Sequence, residues 1–160
     1  MITPADQTLL RRAIAIAAQA ITLGNAPYGS LLADADGAIL IEEHNTVRRE
    51  NDIAAHPELK LARWTARELD PESAARTTMY TSCQPCGMCA GGIVRSGLGR
   101  VVYALSSEQF AALNLEPDWP KVAQEGPALF EEARIPMEDY YRPSRSLGLI
   151  RRAASTLHPR

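Results

Sequence analysis

His56-Pro57-Glu58 and, 27 residues beyond that glutamate, Pro85-Cys86-Gly87-Met88-Cys89 decide how this chain is read. Together they offer one imidazole, two thiols and one carboxylate. A neutral imidazole and two thiolates suit Zn²⁺, and three protein ligands leave a fourth position open to water, as in catalytic rather than structural zinc sites. Zinc so held would lower the pKa of a bound water far enough to make hydroxide near neutral pH. Glu58, two residues from His56, is placed to take that water's proton and pass it to a leaving group. The candidate metal ligands are therefore His56, Cys86 and Cys89, and the candidate proton carrier is Glu58.

A C-x-x-C pair by itself has two other readings, a redox dithiol and half of a structural zinc knuckle. A redox pair has no use for an H-x-E upstream. A knuckle wants a second C-x-x-C or a paired His cluster, whereas Cys83 is the one remaining cysteine and His44 and His158 stand apart. Agreement between two separated half-motifs favours the catalytic metal.

Working outward, helix and strand signals alternate. Thr3-Pro4-Ala5-Asp6 reads as a helix start, with Thr at the N-cap, Pro at the first helical position and an acid in the first turn. Leu9, Leu10, Ala13, Ile14, Ala17 and Ile21 recur at helical spacing until Gly24. Residues 30–33 and 38–42 are short apolar stretches around Asp34-Ala35-Asp36-Gly37, a hairpin signal. Residues 56–69 form a second helix with Pro57 in its first turn, and Asp70-Pro71 stops it. Residues 77–81 predict a strand, 86–96 a helix, 100–105 a strand, and a last helix follows Gly126-Pro127 to about Tyr141. That order predicts an α/β fold, a three-layer α/β/α sandwich around a mixed sheet. Cys86 and Cys89 then share one face at a helix start, where the positive helix end favours thiolates. His56 and Glu58 sit in the first turn of another helix. The weak helix formers Gly91-Gly92 imply close approach of another backbone, in the subunit or across a dimer.

Composition narrows the classes further. With 160 residues the chain is long enough for one substantial core. No apolar run approaches the roughly 18 residues of a membrane span, and Met1-Ile2-Thr3-Pro4 lacks the basic start of a secretory signal. Three cysteines, two of them committed to metal, predict a reducing cytoplasm. A net charge of −2 does not suit a protein that coats nucleic acid. Residues 142–160 nevertheless hold five arginines and no acid, so the rest of the chain carries −7. We read them as a basic C-terminal tail beyond a zinc-dependent domain of residues 1–141. Such a tail either touches RNA phosphate or pairs with acidic surface.

The combined H-x-E…P-C-x-x-C pattern matches zinc deaminases that attack C4 of cytosine or C6 of adenine. The chain resembles the cytidine-deaminase-like superfamily, in the branch of guanine deaminases, fungal-type cytosine deaminases and bacterial tRNA adenosine deaminases. Ala26-Pro27-Tyr28-Gly29 resembles that family's lead into the first strand. His44-Asn45 resembles its G-x-N segment, whose Asn holds the base. Residues 78–83, 89–93 and Glu131-Glu132-Ala133 resemble further family stretches. The resemblance implies a central sheet of about five strands, a homodimer, zinc as cofactor and a small heterocyclic substrate. It implies base recognition by Asn45, eleven residues before His56, through an amide that offers both donor and acceptor. An acid near Glu116 or Asp118 would meet the amine edge of guanine. Trp119, in the Pro-rich loop 117–120, is the foremost of several aromatics for ring stacking. Two positions depart from the pattern: Pro57 for the usual Ala, and Gln84 for the Glu before Pro-Cys.

Three functional classes follow. The first is an enzyme that deaminates a free nucleobase, guanine before cytosine. The second is a tRNA adenosine deaminase, favoured by the arginine tail but opposed by Ser106-Ser107-Glu108-Gln109-Phe110 where a K-T-G-A segment and basic loop belong. The third is a non-catalytic zinc module, opposed by Glu58.

Overall fold

A computed structural model of the chain describes residues 1–113 and 122–141. The chain divides into two compact units, Met1–Pro117 and Asp118–Arg160. The first unit runs α1 (Pro4–Thr22), β1 (Gly29–Ala33), β2 (Ile39–His44), α2 (Val47–Glu50), α3 (Pro57–Glu68), α4 (Pro71–Arg76), β3 (Thr78–Cys83), α5 (Gly87–Ser96), β4 (Arg100–Leu105) and α6 (Ser107–Ala112). Its sheet has the order β2-β1-β3-β4. β1 pairs antiparallel with both β2 and β3, and β3 pairs parallel with β4 across α5.

The strand at the centre, β1, is buried along its whole length, because helices cover both faces of the sheet. Leu31 and Ala33 face α1, in a cluster with Leu10, Ile16, Tyr80 and Val102. Leu32 faces the other way, with Leu61, Ala62, Met79 and Ile93 from α3, β3 and α5. This is the expected three-layer α/β/α arrangement. Gly29 lets α1 lie directly on the sheet, since a Cβ there would run into the α1 backbone at Ala13 and Ala17. Gly92 serves the opposite layer: a Cβ would come 2.5 Å from Leu59 of α3. Among the described residues of the subunit, no other backbone approaches Gly91-Gly92 as read from the sequence: Gly92 faces the tip of the Leu59 side chain and Gly91 the Arg95 guanidinium.

Among the described residues the sheet has four strands, where the family resemblance implies about five. After β4 the chain turns helical at once. Ser106 and Gln109 form a reciprocal capping box, and α6 stands where the sequence shows only the missing K-T-G-A segment. Asp70-Pro71 likewise does more than stop α3. Asp70 accepts from the backbone N–H groups of Glu72 and Ser73 and so starts α4. In the second unit α7 (Phe130–Tyr141) occupies the place expected for the last helix. Arg134 there reaches Glu131 and Glu138 at helical spacing, 2.6 and 2.9 Å away. The basic tail of residues 142–160 lies outside the described residues. No helix among the described residues is long and apolar enough to cross a membrane.

Asp6 is far more than a first-turn acid. The carboxylate is 3 % exposed and completes the Thr3 capping box. It also accepts from Tyr80 Oη at 2.7 Å and from the two terminal nitrogens of Arg100 at 2.8 and 3.0 Å, pinning α1 to β3 and β4. Arg100 foremost, then Thr3 and Tyr80, hold the carboxyl well below its usual range. A depressed folded-state pKa adds stability that is present above the unfolded value near 3.9 and lost as pH falls toward the folded one. Asp6→Asn is expected to cost about 1.5–3 kcal/mol at pH 7, as for hydrogen bonds to a charged group, because Asp6 is buried while its partner Arg100 stays partly exposed. In urea unfolding curves that penalty should shrink at pH 3; a pH-independent penalty would mean that the charge is not what matters.

Candidate active site

His56 and Cys86 occupy the same local position in two different helices. Each is an N-cap, His56 of α3 and Cys86 of α5, and neither side chain caps its own helix. Ser, Thr, Asp or Asn would normally stand there and stabilise the helix by roughly 1 kcal/mol. Both helices forgo that contribution, which leaves His56 Nδ1 and Cys86 Sγ unused by their own helix starts. The backbones are otherwise orderly, with Lys60 N–H donating to His56 O at 3.0 Å and Ala90 N–H to Cys86 O at 2.8 Å. Pro57 at the first position of α3 costs nothing, because its missing N–H would have had no helical partner.

α3 and α5 pack against each other on one face of the sheet, bringing the two N-termini together. Cys86 Sγ lies 3.6 Å from Cys89 Sγ, His56 Nδ1 lies 3.8 Å from Cys86 Sγ, and Cys89 Sγ lies 3.6 Å from His56 Nδ1. Tetrahedral zinc with ordinary Zn–S and Zn–N bonds places its ligand atoms about 3.6–3.8 Å apart. The three donors fit that ion, and they are the one such group among the described residues. Cys86 is exposed and Cys89 fully buried, so the cluster opens on the Cys86 side.

Glu58, in the first turn of α3, is 4 % exposed. Its Oε2 is 3.7 Å from Cys89 Sγ, at the edge of the donor cluster. Its Oε1 accepts from Thr81 Oγ1 at 3.1 Å, and Thr81 in turn accepts from Ser30 Oγ at 2.9 Å. Cys89 sits in the first turn of α5, where the helix end favours the thiolate and burial opposes it. Burial pushes that thiol well up, with the Glu58 and Cys86 charges adding to it. A cation beside the sulfur is what offsets this.

Asn45 directly follows β2 and is 2 % exposed. Its N–H donates to Tyr28 O at 2.9 Å and its Oδ1 accepts from Val47 N–H at 3.2 Å. No described residue pairs with its Nδ2, which keeps a donor for something else. Lys60 braces the segment by donating to His44 O at 2.8 Å and to Thr46 Oγ1 at 3.3 Å. Thr46 N–H donates to Ala55 O at 3.1 Å, one residue before His56, tying Asn45's loop to the start of α3. Tyr28 packs edge-on against Phe110, their ring centroids 6.3 Å apart. Gln84 points away from the metal donors: its Oε1 accepts from Ser107 N–H at 3.0 Å, linking the end of β3 to α6. Glu116, Asp118 and Trp119 lie outside the described residues.

Thr81, Ser30 and Lys60 join the site without having stood out in the sequence. The hydroxyls carry a signal all the same. Ser30 and Leu32, and Thr81 and Met79, alternate on the strands, so both hydroxyls fall on the apolar face that meets α3 and α5. A polar atom on a buried face needs a partner.

Three donors spaced for zinc, a buried carboxylate beside them and an α/β/α scaffold define a zinc-dependent hydrolytic enzyme. The cytidine and deoxycytidylate deaminase zinc-binding region matches residues 3–105. Guanine deaminase of Bacillus subtilis is 32% identical over 131 residues, spanning 81% of this chain and 82% of that protein. A tRNA-specific adenosine deaminase of Haemophilus influenzae is 32% identical over 108 residues, 68% of this chain and 62% of its own. A crystal structure of guanine deaminase from Bacillus subtilis superposes with a TM-score of 0.67 at 27% identity, covering 87% of this chain and 95% of that one. The chain belongs to the cytidine and deoxycytidylate deaminase zinc-binding family. It is a zinc-dependent hydrolytic deaminase of that family.

Proposed function

We propose that this enzyme releases ammonia from a free nucleobase or close heterocycle, with guanine preferred and cytosine next. The observation that carries the reading is the length of the likeness to guanine deaminase, which reaches beyond residue 105 in both sequence and structure. The likeness to the tRNA enzyme is equal in identity but shorter. The helical capping box at Ser106 in place of a basic loop also favours a small substrate.

In this reading His56 Nδ1, Cys86 Sγ and Cys89 Sγ hold Zn²⁺. The ion supplies Lewis acidity, which makes water ionise near neutral pH. Glu58, with Oε2 toward the donor cluster, takes one proton from water and delivers it to the ring nitrogen, then takes a second from the hydroxyl that has added to the ring and delivers it to the departing amine. Burial of the carboxylate keeps bulk water from competing for that proton. Asn45 grips the base edge with its free Nδ2 donor, while Trp119 and Asp118 remain the proposed stacking and amine-edge contacts. The working form in this proposal is a cytoplasmic homodimer.

The deciding experiment measures ammonia release from guanine, cytosine, adenine, their nucleosides, triazines and tRNA, with wild type and Asn45→Ala side by side. Guanine should be turned over fastest. Asn45→Ala should weaken base binding by roughly 1–3 kcal/mol, the cost of a buried hydrogen-bond partner, with zinc content unchanged. Activity confined to tRNA and falling steeply with salt would carry the phosphate-binding signature and replace this reading with the tRNA one.

A further inference from the structure

We propose that Thr81, backed by Ser30, is the positioning residue that sets the orientation of the Glu58 carboxylate for proton transfer. The inference rests on Glu58 being the proton carrier.

A glutamate side chain has three rotatable bonds, and nothing in the first turn of a helix restricts its final torsion. Glu58 is nevertheless tethered at one oxygen. Thr81 Oγ1 lies 3.1 Å from Oε1, leaving Oε2 as the oxygen toward Cys89 Sγ at 3.7 Å. The tether is rigid. Thr81 is β-branched, fully buried and in the middle of β3, where its χ1 has little freedom. It sits directly across the β1–β3 ladder from Ser30, also fully buried.

Counting protons fixes the direction of the relay. Glu58 when ionised only accepts, and a hydroxyl has one proton to give. Ser30 Oγ gives its proton to Thr81 Oγ1 at 2.9 Å, so Thr81's own proton is free for Glu58. The competing acceptor is Cys83 O, also 3.1 Å away, but an ionised carboxylate is the stronger one. The chain Ser30→Thr81→Glu58 thus polarises toward the carboxylate. Neither hydroxyl touches the metal donors, so both act through Glu58.

The test uses full-length Thr81→Val and Thr81→Ser, with steady-state kinetics on guanine (or cytosine, if it proves the better substrate) and zinc by elemental analysis. Valine keeps the shape and removes the hydroxyl; serine returns it. Thr81→Val is expected to keep about one zinc per chain and a KM within about 2-fold, and to lose about 10-fold in kcat. One such factor corresponds to about 1.4 kcal/mol of barrier. Thr81→Ser should recover kcat to within about 3-fold of wild type. Ser30→Ala leaves Thr81 its proton and should lose only about 2- to 3-fold.

A kcat for Thr81→Val within 2-fold of wild type overturns the proposal. So does a loss that serine does not restore, because packing alone would then account for it. If the valine variant does not fold, Thr81→Ala removes the same hydroxyl without crowding and is judged by the same criteria. Glu58→Gln, run alongside, separates the two levels. An active Glu58→Gln defeats the reading of Glu58 itself. An inactive one beside a fully active Thr81→Val defeats only the tether.

Discussion

Glu58→Gln is expected to fold, to keep its zinc and to lose about 10²–10⁴-fold in kcat, the usual contribution of a general acid–base group. The loss should sit at or above the upper end, because this carboxylate would act on more than one proton per turnover. Folding should survive, since the glutamine carbonyl oxygen can accept from Thr81 in place of Oε1. Replacing a buried charge by a neutral isostere also removes a desolvation cost. Zinc should be held no less tightly. The Glu58 charge is the second cause, after burial, of the raised Cys89 thiol, so its removal makes the thiolate easier to form. Elemental analysis and ammonia release, measured on one preparation, check both halves of this expectation. A variant with zinc and near-wild-type turnover would show that some other group moves the proton.

The metal donors are legible in the sequence because their geometry is local. Cys86 and Cys89 are fixed by one helical turn, and His56 and Glu58 by another. Only the meeting of the two turns needs the fold, and the apolar spacing of residues 57–68 and 87–96 supplies the two helices that pack together. The Ser30–Thr81–Glu58 relay depends instead on the register of β1 against β3. Register follows from ladder pairing over some fifty residues of separation, which periodicity does not encode. Asp6 is hidden for the same reason: its main partner, Arg100, is 94 residues away.

The strand count fails for a different reason. Four strands are visible as apolar runs, and the fifth comes from the resemblance alone. After β4 the described chain continues as α6, which the Ser106 and Gln109 capping box starts. Gln84 is a smaller case. A departure beside Cys86 suggests an effect on the metal, but residue 84 follows the end of β3 just before the chain turns, and its side chain reaches α6 instead.

Cys86→Ala is expected to abolish both zinc and activity in one step. Wild type should carry about one Zn²⁺ per chain. The variant keeps two donors, His56 and Cys89, and a structural or catalytic zinc site needs at least three from the protein. Cys86 is the better choice over Cys89 because it is exposed, whereas Cys89 is fully buried and its loss would open a cavity in the α3–α5 contact. Any fall in stability of Cys86→Ala therefore reports the metal. Zinc bound only by the folded chain raises the melting temperature by mass action. Wild type stripped by a strong chelator should consequently melt like the variant, and added Zn²⁺ should restore wild type but not Cys86→Ala. Full activity of metal-free wild type would remove zinc from the mechanism. The Cys86 Sγ, Cys89 Sγ and His56 Nδ1 spacings of 3.6–3.8 Å argue for the opposite outcome, because two thiols and an imidazole are seldom gathered at that separation without a cation to hold.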